Sequence, residues 1–99
     1  MKGRRGDWVV YIVRCADGTL YTGVAKDVSR RVEEHNSNDL LGARYTRGRR
    51  PVMLVYQEMT ATRSTAGRRE HQIKRMSRPE KEALVLTGAR RGKRRRTPG

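Results

Sequence analysis

Residues 8–24 read WVVYIVRCADGTLYTGV, and this stretch decides the fold. Its first part, residues 8–13, is aromatic and β-branched, which is typical of a strand. A turn signal follows at Ala16-Asp17-Gly18, and residues 19–24 have the pattern of a second strand. The stretch therefore predicts a β-hairpin at the start of the fold.

The length of the hairpin loop decides which residues share a face. A two-residue loop at Asp17-Gly18 would place Tyr11 and Tyr21 on opposite faces, because side chains alternate along a strand. A three-residue loop, with Gly18 as its left-handed residue, places both phenols on one face and Gly23 opposite Tyr11. We predict the three-residue loop, with Gly23 opening a slot for a phosphate beside Tyr11. Two packed tyrosines and a simple bend at the glycine explain the same pattern.

Beyond the hairpin, the chain alternates between helical and extended patterns. Asp27 can cap a first helix that reaches about His35. Residues 36–50 are polar and basic, which predicts a loop. Pro51 opens a third strand at residues 52–56, whose apolar run predicts a buried central place in the sheet.

Two further helices are predicted in the second half of the chain. Thr62 or Ser64 can cap a helix that reaches Met76. Residues 77–80 have the spacing of a capping box, which begins another helix, and Gly88 is placed to end it.

The predicted order β-β-α-β-α-α describes an α/β (α+β) fold with a small, three-stranded, mainly antiparallel sheet flanked by helices. We expect a flexible basic N-terminus at residues 1–6, a single domain at residues 7–88 and a disordered basic tail at residues 89–99. The single cysteine, Cys15, excludes an internal disulfide and a cluster of thiolate ligands.

Charge gives the strongest indication of function. The chain has 24 Lys and Arg against 10 Asp and Glu, a formal charge of +14. Such an excess favours a polyanionic partner, nucleic acid ahead of an anionic membrane surface. No apolar run approaches the roughly 18–20 residues of a membrane span, and no signal peptide is evident. We therefore expect a cytoplasmic protein.

Two segments outside the hairpin carry candidate site residues. Val28, Arg31, Val32 and His35 share one face of the first helix, so Arg31 and His35 should project together along the border of the sheet. Glu70 on the second helix can face inward, where a carboxylate needs a partner or a metal ion. Magnesium can be held by one carboxylate with water and substrate phosphate. The alternatives without a functional role are that Arg31 is an ordinary solvated arginine and that His35 is a surface imidazole. Glu70 would then form a salt bridge with Lys74.

The combined spacing resembles the GIY-YIG nuclease domain. Val9-Val10-Tyr11 and Tyr21-Thr22-Gly23 are similar to its two motifs, Arg31 and His35 follow on a helix, and Glu70 follows on a later one. The likeness runs from about Trp8 to Leu86, and residues 42–51 resemble the small, stand-alone bacterial branch.

The resemblance implies a role for each matched residue. Tyr11 would help to generate the nucleophile, Tyr21 would orient groups near the scissile phosphate, and Arg31 would stabilise phosphate charge. His35 would assist in proton transfer or phosphate contact. Glu70 would be the single metal ligand, for Mg²⁺ or Mn²⁺. The first motif departs from the family as Val-Val-Tyr, and the asparagine that often follows the metal-binding glutamate in longer relatives is absent.

These observations predict a metal-dependent DNA endonuclease, structure-specific rather than sequence-specific, that acts in DNA repair or recombination. RNA is an alternative substrate, no membrane is expected, and a protein partner could supply specificity. A non-catalytic nucleic-acid-binding module on the same fold is the main rival, and a ribosome-associated basic protein is a weaker one. Expected nucleic-acid contacts are Gly23, Lys26, Arg44, Tyr45, Arg47, Arg49, Arg50 and Lys74.

Overall fold

A computed structural model describes residues 8–38 and 41–96, the last eight of these by their backbone alone. The predicted flexible N-terminus, residues 1–6, and residues 97–99 of the predicted tail lie outside the described residues. The elements in chain order are β1 (Trp8–Arg14), β2 (Leu20–Ala25), α1 (Val28–Ser37), α2 (Arg44–Arg47), β3 (Met53–Thr60), α3 (Arg63–Lys74) and α4 (Arg78–Arg96).

The hairpin has the predicted three-residue loop. The Cys15 amide donates to the Thr19 carbonyl at 2.8 Å, the Gly18 amide donates back to Cys15 at 2.9 Å, and Gly18 has φ +87°. Tyr11 consequently pairs with Gly23, and Val13 pairs with Tyr21. The register that brings the two phenols to one face is confirmed.

The sheet is antiparallel throughout, with strand order β2-β1-β3. The prediction that the third strand is central was wrong, because β3 pairs with β1 and exposes Met53 and Met59 on its outer face. The strand also continues to Thr60. Its last part was not predicted, because the polar residues Gln57 and Glu58 interrupt the apolar run. The central strand is β1, whose five middle residues, 9–13, are all buried.

Helices cover both faces of the sheet, giving two core clusters that share β1. On one face Val9, Tyr11 and Val13 pack against Val28 of α1. On the other face, Val10 and Ile12 of β1 pack against residues of β3, α3 and α4, namely Tyr56, Ala66, Ile73 and Val85. Alternate residues of a single strand therefore support opposite layers.

The predicted caps are present at three helices. The Asp27 carboxylate accepts from the Arg30 amide at 3.1 Å, and the Thr62 hydroxyl accepts from the Thr65 amide at 3.1 Å. At the start of α4 the Ser77 amide donates to Glu80 Oε1 at 2.8 Å, as a capping box requires.

Two boundaries differ from prediction. Residues 36–50 are not one loop, because α1 continues to Ser37 and the single turn of α2 follows. Gly88 does not end α4, whose backbone remains helical to Arg96 through the stretch predicted to be disordered. A Cβ at Gly88 would lie 2.5 Å from Tyr56 Cδ1. The glycine therefore permits close packing of α4 on β3, and the strong helix formers beyond it continue the helix.

Candidate active site

The first motif residue, Tyr11, is a core residue. It lies on β1 with 1% of its surface exposed, whereas Tyr21 lies half-buried on the edge strand β2. A Cβ at Gly23 would lie 2.5 Å from Tyr11 Oη. The predicted phosphate-sized slot beside Tyr11 was therefore wrong, because the phenol itself fills the space that the missing side chain leaves.

Helix α1 brings His35 to both tyrosines. Its Nε2 lies 2.8 Å from Tyr11 Oη, and its ring centroid lies 5.5 Å from that of Tyr21 in an edge-on arrangement. His35 is 0% exposed, so the expectation of an imidazole projecting at the border of the sheet was wrong. The cause is the seven-residue spacing from Val28, which places both residues on the inner face of α1.

The other nitrogen of His35 contacts α2, which the sequence analysis missed. The Ala43 amide donates to His35 Nδ1 at 3.2 Å, and the Thr46 hydroxyl lies 3.2 Å from the same atom. Burial, aided by the positive charge of Arg31, lowers the pKa of His35 to about 4. The imidazole is therefore neutral at pH 7.

Arg31 is the cation that acts on Tyr11. It is half-buried, and its Nη1 donates to Glu34 Oε1 at 2.9 Å. Burial, and after it the neighbouring Tyr21, raise the pKa of Tyr11 to about 12, although the charge and hydrogen bond of Arg31 oppose the rise. Arg31 is thus placed to favour the phenolate form of Tyr11.

Helix α3 brings Glu70 to the same edge of the sheet. Glu70 Oε2 lies 3.1 Å from Lys74 Nζ, which in turn lies 5.8 Å from the centroid of the Tyr21 ring. The negative charge of Glu70 also contributes to the raised pKa of Tyr11. The carboxylate therefore belongs to the cluster, and the ion pair with Lys74 that the helical spacing allows is present as well.

The donor set fits a hard divalent cation held by few protein ligands. Among residues 8–38 and 41–96, no three His, Cys, Asp or Glu side chains converge as a zinc site would require. Glu70 offers one carboxylate, about 28% exposed, whose partner Lys74 lies over the ring of Tyr21. Magnesium and manganese accept a single carboxylate when water and a phosphate complete the shell.

Tyr45 of α2 closes one side of the cluster. Its ring stacks on that of Tyr21 with centroids 5.5 Å apart, and the Arg49 guanidinium lies 4.2 Å above Tyr45. Asp17 in the hairpin loop pairs with Arg49 at 3.0 Å. These contacts fix a wall of aromatic and cationic groups beside Tyr21.

The other predicted nucleic-acid contacts occupy varied positions. Arg44 and Arg47 are exposed on α2. Arg50 Nε donates to the His35 carbonyl at 2.6 Å, so this guanidinium supports the end of α1. Lys26 Nζ lies 5.0 Å from the centroid of Trp8, which packs in the core of the opposite face, so Lys26 does not join the cluster.

Comparison with known proteins gives a consistent family. The GIY-YIG catalytic domain matches residues 7–83. A UPF0213 protein of Desulfotalea psychrophila is 58% identical over 81 residues, which are 82% of this chain and 73% of that one. A UPF0213 protein of Staphylococcus aureus is 58% identical over 76 residues, 77% of this chain and 90% of its own length.

Two solution structures have the same fold. A UPF0213 protein of Bacillus halodurans is 44% identical, with a TM-score of 0.53 over 82% of this chain and 85% of that chain. A protein of E. faecalis is 35% identical, with a TM-score of 0.56 over 88% of this chain and 90% of that chain. In this chain, no helix among the described residues is long and apolar enough to cross a membrane.

Proposed function

Because the chain belongs to the GIY-YIG catalytic domain family, whose function is of the nuclease type, we propose that it is a divalent-metal-dependent endonuclease acting on DNA. One observation supports this most directly. Tyr11 and Tyr21 both contact His35, and the charges of Arg31 and Glu70 act on Tyr11. Groups of these types are the ones that phosphodiester hydrolysis needs. The residues are Tyr11, Tyr21, Arg31, His35 and Glu70.

In this proposal Tyr11 takes the proton of the attacking water while a new P–O bond forms and the leaving oxygen departs. A phenol with a pKa of about 12 is a poor base at neutral pH, so its phenolate needs positive charge nearby. Arg31 supplies one charge and also neutralises the phosphate. Tyr21, fixed between His35 and Tyr45, orients the phosphate with its hydroxyl.

Glu70 would hold the divalent cation, which would offset the charge that develops on the phosphate oxygens. Lys74 Nζ lies 3.1 Å from one carboxylate oxygen of Glu70. We infer that Lys74 moves to a phosphate when DNA and the cation bind, because both new contacts are stronger than the exposed ion pair they replace.

The exposed groups around the cluster suit phosphate recognition more than base reading. Arg44 and Arg47 are exposed on α2, and Tyr45 of the same helix, also exposed, stacks on Tyr21. Such contacts position a backbone and carry little sequence information. We therefore propose a structure-specific cut in branched or single-stranded DNA, in repair or recombination in the cytoplasm. A protein partner would supply any further specificity.

The test incubates the purified protein with supercoiled DNA, branched DNA and RNA, each with magnesium, manganese or EDTA. We expect cleavage that depends on the metal ion, and Glu70→Gln should lower its rate by at least roughly 10²-fold, because a preorganised charge is lost. Binding of DNA in EDTA should be nearly unchanged.

Glu33→Gln is the matched control, since Glu33 is an exposed carboxylate on α1 outside the cluster. It should cut at the parental rate. Cleavage by Glu70→Gln at the rate of Glu33→Gln would show that the metal assignment is wrong.

A second candidate function is nucleic-acid binding without cleavage. The +14 charge and the Glu70–Lys74 ion pair, which neutralises the metal ligand, favour it. This alternative predicts tight, salt-sensitive binding and no metal-dependent nicking of any of the three substrates. The same assay therefore separates the two functions.

A further inference from the structure

The hydrogen bonds around His35 determine which of its nitrogens carries the proton. A backbone N–H can only donate, and the Ala43 amide points at Nδ1 from 3.2 Å. A proton on Nδ1 would face the amide proton directly. Nδ1 therefore presents its lone pair, and in a neutral ring the proton must be on Nε2.

The Thr46 hydroxyl is compatible with this assignment. It lies 3.2 Å from Nδ1 and 2.9 Å from the Ala43 carbonyl, and a hydroxyl can rotate its hydrogen towards either acceptor. The amide has no such freedom. The Ala43 amide therefore determines which nitrogen of His35 carries the proton, and the Thr46 hydroxyl orients its hydrogen accordingly.

The close approach of α2 to α1 depends on Gly42. A Cβ at this position would lie 2.9 Å from the carbonyl oxygens of Glu34 and Asn38 and 3.2 Å from the Cα of His35. Only glycine allows the backbone at position 42 to lie against the last turn of α1. This close approach brings the amide of the next residue, Ala43, to His35.

We propose that the start of α2 is a positioning element, in which the Ala43 amide, seated by Gly42, holds His35 as the Nε2–H tautomer so that His35 donates to Tyr11. Tyr11 Oη lies 2.8 Å from Nε2 and accepts this hydrogen bond. The hydroxyl proton of Tyr11 then points away from His35. His35 stabilises the Tyr11 phenolate, and it is not the group that removes the Tyr11 proton.

The tautomer can be read by nitrogen NMR of protein labelled with ¹⁵N-histidine at pH 7. The chain has two histidines, so in the His71→Gln variant, which is changed on the exposed face of α3, all histidine signals come from His35. We expect a pyrrole-type signal for Nε2 and a pyridine-type signal for Nδ1. The reverse pattern would overturn the proposal. This measurement does not depend on cleavage, so it stands even if the proposed nuclease function fails.

A backbone ester tests the role of the amide. Replacing Ala43 by L-lactic acid in a chain assembled from synthetic segments puts an oxygen lone pair where the N–H lies and keeps the side chain. We expect the proton to move to Nδ1 in a large part of the molecules. An ester protein whose His35 keeps the Nε2 proton in full would show that the amide does not set the tautomer.

The consequence for catalysis rests on the proposed function. In the ester protein Nε2 accepts from Tyr11, so the phenolate loses a donor, and we expect cleavage to fall roughly tenfold, the worth of one hydrogen bond to a charged group. DNA affinity in EDTA should not change. Thr46→Ser, which retains the hydroxyl, should keep both the tautomer and the rate, whereas equal cleavage by the ester and parent proteins would remove the positioning role.

Discussion

Tyr11 and His35 belong at once to the core and to the candidate site. Both are almost fully buried, and the Tyr11 hydroxyl contacts Nε2 of His35 across the boundary between β1 and α1. A buried polar pair is stable only when it is satisfied, so their hydrogen bond contributes to folding as well as to chemistry. Glu70, which is partly exposed, makes no such contribution to the core.

His35 should make the protein sensitive to acid. Its pKa is lowered from 6.5 to about 4 in the folded state. Below pH 6.5 the histidine of the unfolded chain binds a proton, whereas His35 of the folded chain does not. The stability associated with the neutral ring is therefore present above pH 6.5 and is lost as the pH falls towards 4. Acidification from pH 7 to pH 4 should therefore lower the free energy of unfolding by about 3 kcal/mol through this one histidine.

Urea denaturation at several pH values between 4 and 7.5 measures this loss. His71→Gln, at an exposed position, should keep the pH dependence, and His35→Gln should flatten it whatever its stability at pH 7. A parental slope in His35→Gln would assign the acid sensitivity to the carboxylates instead.

At the scale of elements, glycines mark where strands and helices approach one another. Gly23 admits the ring of Tyr11, and Gly88 admits the ring of Tyr56. Gly67, on the exposed side of α3, has no atom within 4 Å of an added Cβ. Substitution of these three glycines therefore tests three different effects. Gly23 tests packing within the candidate site, Gly88 tests packing away from it, and Gly67 tests helix propensity alone.

Gly23→Ala should lower both stability and cleavage, because its methyl group would lie 2.5 Å from Tyr11 Oη and clash with the ring. We expect a loss of about 1–3 kcal/mol, as for an overpacked core, together with at least a roughly tenfold fall in rate. Thermal denaturation and the nicking assay measure the two effects. An active, stable Gly23→Ala protein would contradict the packing described for Tyr11.

The two helical glycines provide matched controls. Gly88→Ala should lose stability by a similar amount, since its methyl would lie 2.5 Å from Tyr56 Cδ1, and yet retain its cleavage rate at temperatures where it is folded. Gly67→Ala should gain about 0.5–1 kcal/mol, the usual difference between alanine and glycine in a helix.

The sequence predicted elements better than their contacts. The loop of the hairpin, the caps at Asp27 and Thr62 and the placing of both tyrosines on one face follow from local rules, and these predictions are confirmed. The burial of His35 and the presence of α2 cannot be predicted from such local rules, because both depend on contacts between α1 and the segment that follows it. The length of β3 was also hidden, since a strand with one exposed face carries polar residues.

At the scale of the whole molecule, positive charge is distributed unevenly. Many cations of the described residues are in ion pairs, among them Arg14 with Glu82 at 2.7 Å and Arg69 with Glu58 at 3.0 Å. Residues 89–99 contain six Lys and Arg and no acid. This C-terminal stretch therefore concentrates positive charge that a phosphate backbone would attract.

Removing residues 89–99 should weaken DNA binding and make it less sensitive to salt. Each phosphate contact contributes about 0.9 to the slope of log K against log salt, so the slope should fall by up to about 5 for the six charges removed. Fluorescence anisotropy at several salt concentrations measures it. Cleavage at saturating DNA should be unchanged, and an unaltered slope would mean that the stretch does not touch DNA.

The burial of Tyr11 bears on how such a protein can change over evolutionary time. A lineage released from selection for activity still has to fold, and its Tyr11–His35 pair would be retained for that reason alone. Glu70 would drift first, because its loss costs the fold little. On the proposed function, descendants that have ceased to cut should therefore be recognised by an intact Tyr11–His35 pair and a replaced Glu70.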